Sequence, residues 1–347
     1  MKKRTTNKGW FGKFKRNRKS YIFLKVLAYA YLLSFLLPLF VNNDALIVKY
    51  NGEYYFPVFK HYPSSTFNEN TSGEANYRNL KKRFASENGE NFVLLPLYSY
   101  GPNESLLEEL KATPPTAPSS NNIFGTDDRG RDVFARVLYG FNISVSFGVV
   151  VTLFSFMLGV LFGGISGFYG GVTDILFQRV VEIWSALPFL YVIIILSSLI
   201  TPGFSMLVII LVLLNWVGIT LYVRGEVLRE KTKDYVFAAY VSGASKMQVL
   251  VRHVLPNSLN PVISFAPFAI IANITLLVAL DYLGFGLPPP TSSWGQLIQQ
   301  SMAYSNFNKW WLIVFPLLFQ FVTLILFVII GNGIRDTFYR KQYSRLK

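Results

Sequence analysis

Apolar residues fall in six long runs, and polar residues collect between them. The runs are Tyr21–Val41, Ile143–Ile165, Trp184–Thr201, Met206–Val223, Val262–Leu280 and Trp311–Ile330. About 20 apolar residues let a helix cross about 30 Å of hydrocarbon, so each run is read as a span. The pattern predicts an all-α integral membrane protein with six transmembrane helices. Two polar stretches interrupt it. Residues 42–140 form the longer one. There, Ala45–Phe59 reads as a hairpin turning at Asn51-Gly52, Leu80–Asn88 as a short helix, Phe92–Tyr100 as a further strand and Pro114–Ser119 as a linker. A small α+β insertion outside the membrane is therefore expected.

The second polar stretch is the island Asp234–Asn257, DYVFAAYVSGASKMQVLVRHVLPN. Asp234 is placed to cap a first helix over Tyr235–Ser242, and Gly243 suits the left-handed position that ends one. Ser245 and Gln248 have capping-box spacing and open a second helix, which Pro256 is expected to close. Within the spans, Gly159, Gly163, Gly164 and Gly167 allow a close helix approach, and Asn215 and Asn273 are read as interhelical hydrogen bonders.

Composition supports the membrane reading: of 347 residues, 52% are hydrophobic and only 15% charged. The net charge of +14 could suggest nucleic acid, but its placement argues for membrane orientation. Lys2, Lys3, Arg4, Lys8, Lys13, Lys15, Arg16, Arg18 and Lys19 all precede the first apolar run, with no acid among them. Lys and Arg accumulate on the cytoplasmic side, so the N-terminus is placed inside. Counting spans then puts the island inside with Arg224, Arg229, Lys231, Lys233, Lys246 and Arg252, and the tail with Arg335, Arg340, Lys341, Arg345 and Lys347 inside too. The Asp281–Lys309 loop, with one basic residue, falls outside. No nucleic-acid-binding fold follows the basic segment. The first run is too long for a cleaved signal and is read as a retained anchor.

Several chemistries are disfavoured. Cysteine is absent, and the only histidines, His61 and His253, are far apart in sequence. The span middles carry no ionisable residue of the kind an ion-coupled transporter needs. No phosphate-binding Gly-x-x-x-x-Gly-Lys-Ser/Thr loop and no catalytic set is present, so an external energy source is expected to act on the island.

The island resembles the coupling loop of ABC importer permeases, whose pattern is Glu-Ala-Ala, three residues, Gly, then Leu-Pro. Phe237, Ala238, Ala239, Gly243, Leu255 and Pro256 occupy those positions, with Phe237 where the family has glutamate. Tyr235-Val236, Gly243-Ala244-Ser245 and Arg252–Asn257 match the dipeptide/oligopeptide branch more fully. Gly125, Thr126, Asp127, Gly130, Arg131, Asp132 and Val133 resemble that branch's turn before the second span, read as a charged, hydrogen-bonded turn and not a metal loop. Tyr169-Gly170-Gly171, Asp174, Arg179, Glu182 and Pro188, Gly284–Gly286 with Trp294-Gly295, and Gly333–Asp336 match further motifs. The outer stretch, including Val48–Gly52, Tyr55–Pro57 and Ala75–Tyr77, is similar to the subgroup of Yej-type peptide importers, which also take up microcin C.

The resemblance implies a type I importer permease without catalytic or metal-binding residues. It would move oligopeptides, including microcin C-like compounds, across a bacterial inner membrane. It implies as partners a second, homologous permease, two ATPase subunits that carry the ATP and magnesium, and a periplasmic substrate-binding protein; no cofactor is expected on this chain. Phe237, Ala238, Ala239, Gly243, Ala244, Ser245 and Pro256 would contact an ATPase. The implied division is a cytoplasmic segment 1–20, a first helix 21–41, a periplasmic insertion 42–140, a five-helix core 141–335 with a cytoplasmic coupling loop 226–260, and a cytoplasmic tail 336–347.

Overall fold

The computed structural model describes residues 12, 14–68, 73–87, 89–110, 112–200 and 203–343. Lys2, Lys3, Arg4, Lys8, Lys13, Arg345 and Lys347 lie outside the described residues. The helices are α1 (Arg18–Ser34), α2 (Leu37–Phe40), α3 (Tyr77–Ser86), α4 (Val133–Tyr169), α5 (Gly171–Ser185), α6 (Phe189–Leu199), α7 (Phe204–Glu230), α8 (Asp234–Val241), α9 (Lys246–Val249), α10 (Leu255–Ile263), α11 (Ala266–Leu283), α12 (Trp294–Ser301) and α13 (Trp311–Tyr343). Among the described residues, α4, α7, α11 and Trp311–Phe338 of α13 are long and apolar enough to cross a membrane.

The other two predicted spans are broken, each at a proline. α5 and α6 are bent by 70° across Ala186–Pro188, and together could make a fifth span. Proline lacks an N–H and disfavours helix in the residue before it, which accounts for the break where Trp184–Thr201 reads as continuous. Tyr21–Val41 is divided into the 17-residue α1 and the short α2, with Pro38 in the first turn of α2.

The chain forms two compact units, Met1–Leu27 with Ser144–Pro288 and Val322–Lys347, and Ala28–Ile143 with Pro289–Phe321. In the second unit, strands β1 (Ile47–Tyr50), β2 (Glu53–Tyr55) and β3 (Phe92–Leu94) form an antiparallel sheet in the order β2-β1-β3. Asn51 and Gly52 turn the hairpin with φ of 51° and 86°, the left-handed pair that a two-residue turn requires. The Asn76 side chain caps α3 through Arg78 N and Asn79 N. The core under the sheet is Ala45, Val48, Phe67, Ala75, Tyr77, Leu80, Phe84 and Val93. Phe67 meets Tyr50, Tyr55, Tyr62 and Tyr77 edge-on, and Tyr50 stacks on Phe84. These strands and α3 thus form an α+β element built on an aromatic core.

In the first unit, α4 presents glycines to α7 at successive turns. A Cβ on Gly159 would lie 2.4 Å from Ile219 Cγ2, on Gly163 2.5 Å from Thr220 O, and on Gly167 2.9 Å from Arg224 O. Backbones approach this closely only without side chains between them. Gly164 faces another way, toward Leu255 of α10. Asn215 Nδ2 donates to Asn273 Oδ1 at 3.0 Å, and Asn273 Nδ2 donates to Thr152 Oγ1 at 3.0 Å, so a neutral relay joins α7, α11 and α4. Ser20 Oγ donates to Ile329 O at 3.0 Å, and Gly333 lies against the same serine.

Gly163→Val should lower the thermal unfolding midpoint of the purified chain, corresponding to about 1–3 kcal/mol of overpacking. Gly218, with nothing within 4 Å of its Cβ position, is the control. Gly218→Ala should leave the midpoint unchanged or raise it slightly.

Candidate functional site

The island is a helical pair with one packed face and one open face. α8 starts after Lys233, with no side-chain cap, and Asp234 lies in its first turn. The expected Asp234 cap is therefore corrected: the helix begins one residue too early, and its carboxylate instead complements the positive end of the helix. The other end is a Schellman turn: Gly243 at φ +84° donates to Tyr240 O at 2.9 Å, and Ala244 N–H to Ala239 O at 3.1 Å. Ser245 and Gln248 complete the capping box, with Gln248 N–H on Ser245 Oγ at 3.3 Å and Ser245 N–H on Gln248 Oε1 at 2.9 Å.

Pro256 does not close the second helix. α9 runs through a π-helical turn, Leu250–Val254, directly into α10, where Pro256 sits in the first turn. A proline ring crowds the carbonyl four residues back and offers that group no N–H. The widened turn before it, with Leu255 N–H bonded to Leu250 O, lets the helix continue past it.

Val236, Val249, Leu250 and Val254 are buried with Phe168, Val223 and Val227, and Ala239 and Ala244 pack half-buried against them. Phe237, Ala238, Tyr240, Val241, Gly243, Ser245, Met247 and Pro256 are exposed. The open face is strongly apolar: Phe237 is 59% exposed and Val241 89%.

Polar contacts fix the packed face to the end of α7. Tyr235 Oη donates to Glu230 Oε1 at 2.8 Å, and Lys233 also binds that carboxylate. Asn257 Nδ2 reaches Tyr235 Oη at 3.3 Å and His253 O at 2.8 Å. Burial first, then the Glu230 carboxylate, pushes the Tyr235 phenol up to about 12, so it stays a donor. Beside this footing, Lys231 Nζ caps α4 through Gly167 O at 2.7 Å. Arg224 grips Asp174 with two bonds of 2.6 Å.

The turn 125–133 is, by contrast, closed on itself. Asp127, wholly buried, accepts from Arg129 N at 3.0 Å, Arg131 N at 2.9 Å and Arg131 Nε at 2.8 Å. Gly130 takes φ +72° inside this loop. Gly125, at φ +75°, lies so close to Thr116 O that a Cβ would stand 2.5 Å away. Asp132 Oδ1 caps α4 through Ala135 N at 2.8 Å, while Oδ2 accepts from Tyr98 Oη at 2.7 Å and Asn122 Nδ2 at 2.9 Å. Burial holds the Asp132 carboxyl above its ordinary range despite those donors.

Sequence reasoning missed Arg136. It is fully buried, donating to Pro102 O at 3.0 Å, Thr291 O at 3.2 Å and Gln296 Oε1 at 3.2 Å, with Nε 3.6 Å from Asp127 Oδ2. The available signal was a lone arginine in the first turn of an apolar helix, beside the charged turn. Trp294 Nε1, bonded to Val137 O at 2.9 Å, and Trp311 Nε1, bonded to Thr126 O at 3.1 Å, complete this tie. Asn142 Nδ2 donates to Ser34 Oγ at 2.7 Å, a contact between α4 and α1 for which the motifs carry no signal.

Residues 159–347, which contain the glycine seam and the island, match the family of binding-protein-dependent transport system inner membrane components. The inner membrane ABC transporter permease protein YejE of Escherichia coli (strain K12) is 38% identical over 96% of both chains. The peptidoglycan transport system permease protein YejE of Agrobacterium fabrum is 33% identical over 96% of this chain and 92% of its own. The dipeptide transport system permease protein DppC of Bacillus subtilis is 36% identical over 63% of this chain and 68% of its own. Among solved structures, the MetNI methionine ABC transporter, inward facing, aligns with 59% of this chain and 97% of its own at 18% identity and a TM-score of 0.49. The chain belongs to the family of inner membrane permease components of binding-protein-dependent ABC transporters, and is a multi-pass inner membrane protein.

Asp132→Ala should destabilise the purified chain. Losing the α4 cap costs about 1–2 kcal/mol, and stranding the Asn122 donor adds about 1–3 kcal/mol. A thermal or denaturant unfolding series checks this, with Asp128→Ala as the exposed neighbour that should change little.

Proposed function

We propose that this chain is a permease subunit of an ABC importer that moves peptides inward across the bacterial inner membrane, driven by ATP hydrolysed on separate subunits docked at the island. The observation that carries the docking is the exposed apolar face of Phe237, Tyr240, Val241 and Met247, on a capped helical pair beyond the end of α7. Burying one such phenylalanine in a partner groove contributes about 1.5–3 kcal/mol. The named cargoes of its relatives, a dipeptide and peptidoglycan, support peptides as the class. Microcin C-like compounds would fall within it.

In this reading the complex also holds a second permease, two ATPases and a soluble substrate-binding protein. ATP and magnesium sit on the ATPases, so the transport step needs no cofactor on this chain. Six spans, with both termini and the loop 226–260 cytoplasmic and residues 42–140 periplasmic, agree with the charge distribution. The turn Gly125–Asp132 then serves as a rigid collar at the outer start of α4. Closure of the ATPases would displace the island, and the footing on Glu230 would pass that displacement to α7. An ion-coupled transporter is the competing class. It is disfavoured because the relay Asn215–Asn273–Thr152, polar at mid-span, is neutral.

Gly243 tests the docking face. Its φ of +84° strains most other L-residues, but nothing within 4 Å would clash, so a defect beyond strain comes from a partner. Gly243→Asn, which tolerates that backbone, should keep most uptake, whereas Gly243→Glu should abolish it with normal membrane abundance. Normal uptake in Gly243→Glu would remove docking from this surface, and equal loss in both would assign the defect to strain. In proteoliposomes holding the co-purified complex, peptide uptake should require ATP. Uptake supported by an ion gradient without ATP would select the competing class.

A further inference from the structure

One cluster outside these sites has metal-binding chemistry. Asp44, His61 and Glu74 come from three segments of one unit, and a ligand atom from each lies within 4.8 Å of the other two. His61 Nδ1 is 2.9 Å from Glu74 Oε1. Their segments are held side by side by the Pro63–Glu74 bridge and by Ser64 N–H donating to Gly73 O at 2.9 Å. Asp44 and Glu74 immediately precede the buried core residues Ala45 and Ala75, so their backbones are anchored. Asn42 Nδ2 orients Asp44 through Oδ2 at 3.3 Å, while Asn42 Oδ1 is held by Asn43 N–H at 2.9 Å. An outer amide that fixes a ligand carboxylate is the usual support of a metal site. The adjacent Lys60 turns its ammonium over the Tyr62 ring, 5.5 Å from its centroid.

We propose that Asp44, His61 and Glu74 bind a divalent cation of the zinc class, with water completing the shell. Two carboxylates that face one another repel, and a shared cation reverses the sign of that interaction. The imidazole selects among cations: calcium takes six to eight oxygens and magnesium an all-oxygen octahedron, whereas zinc accepts mixed nitrogen and oxygen donors at about 2.0–2.2 Å. Such a shell places ligand atoms roughly 3.2–3.6 Å apart. His61 and Glu74 are exposed and Asp44 is half-buried, so small rotations of the first two close the remaining gap. The ion would clasp the segment after α2 to the loop before α3, a structural role independent of any transport step. Neither histidine of the chain suggests this from sequence, because the donors meet only in the folded unit.

The test uses the purified full-length chain, without a histidine tag, titrated with zinc chloride against a chromogenic chelator. A single saturable site is expected, with a thermal midpoint that rises with zinc. His61→Ala and Asp44→Asn should each weaken zinc at least about tenfold, the lower bound for losing outer support alone. His61 is exposed, so His61→Ala should keep the metal-free midpoint, and zinc should no longer raise it. No saturable site, unchanged affinity in His61→Ala, or equal affinity for calcium would each overturn the assignment.

Discussion

The close approach of α4 to α7 is the constraint on which the island's position depends. Lipid tails are as apolar as leucine, so helices in a bilayer gain nothing by hiding from them. Association then rests on van der Waals fit and interhelical hydrogen bonds. Gly159, Gly163 and Gly167 supply the fit, bringing Cβ positions within 2.9 Å or less of α7 atoms. Where the glycines end, Lys231 takes over by capping α4 at Gly167 O, and Arg224 ties α7 to Asp174 of α5. The seam therefore runs without a gap to Glu230, and Glu230 holds Tyr235 of the island. In the proposed complex, a displacement of the island would reach α7 through this footing.

The two units handle buried polarity differently. Around the seam, the mid-span polar groups are amides and a hydroxyl that satisfy one another. Around the turn 125–133, full charges are buried beside polar partners: Asp127 beside Arg131 and backbone donors, Arg136 beside carbonyls and Gln296. Breaking one member of such a set strands the rest, at about 3–5 kcal/mol for an unpaired buried charge. Rigidity is thus concentrated where α4 begins.

What could be read from sequence divides by range. Gly243, the Ser245–Gln248 box and the Asn51-Gly52 turn depend on residues within a few positions, and each takes the backbone its type dictates. The glycines of α4 and the pair Asn215–Asn273 were legible because lipid leaves small and polar residues few other uses. The failures are cases where a local rule had an alternative solution. Asp234 was a plausible cap, but Lys233 already stood at that position. Pro256 should end a helix, yet a π turn ahead of it relieves the same clash. Pro188 was read through as an apolar span and instead bends it by 70°. Arg136, and the meeting of His61 with Asp44 and Glu74, are set by tertiary placement, for which one sequence holds no spacing signal.

Phe237 changes the chemistry expected of the docking face. A glutamate there would form a surface ion pair, worth about 0–1 kcal/mol and weakened by salt. An exposed phenylalanine contributes only when buried, and then about twice as much or more. In the proposed complex it would therefore need a hydrophobic groove of matching shape on the partner, and the exposed Tyr240, Val241 and Met247 would extend the same requirement. In the proposed complex the exposed charges of the island, Asp234, Lys246 and Arg252, would fall at the rim. Rim charges act mainly on association rate and register. In the proposed complex, then, holding strength comes from apolar burial at the centre and orientation from charge at the edge, so loss of the family's glutamate alters the type of contact without removing the contact.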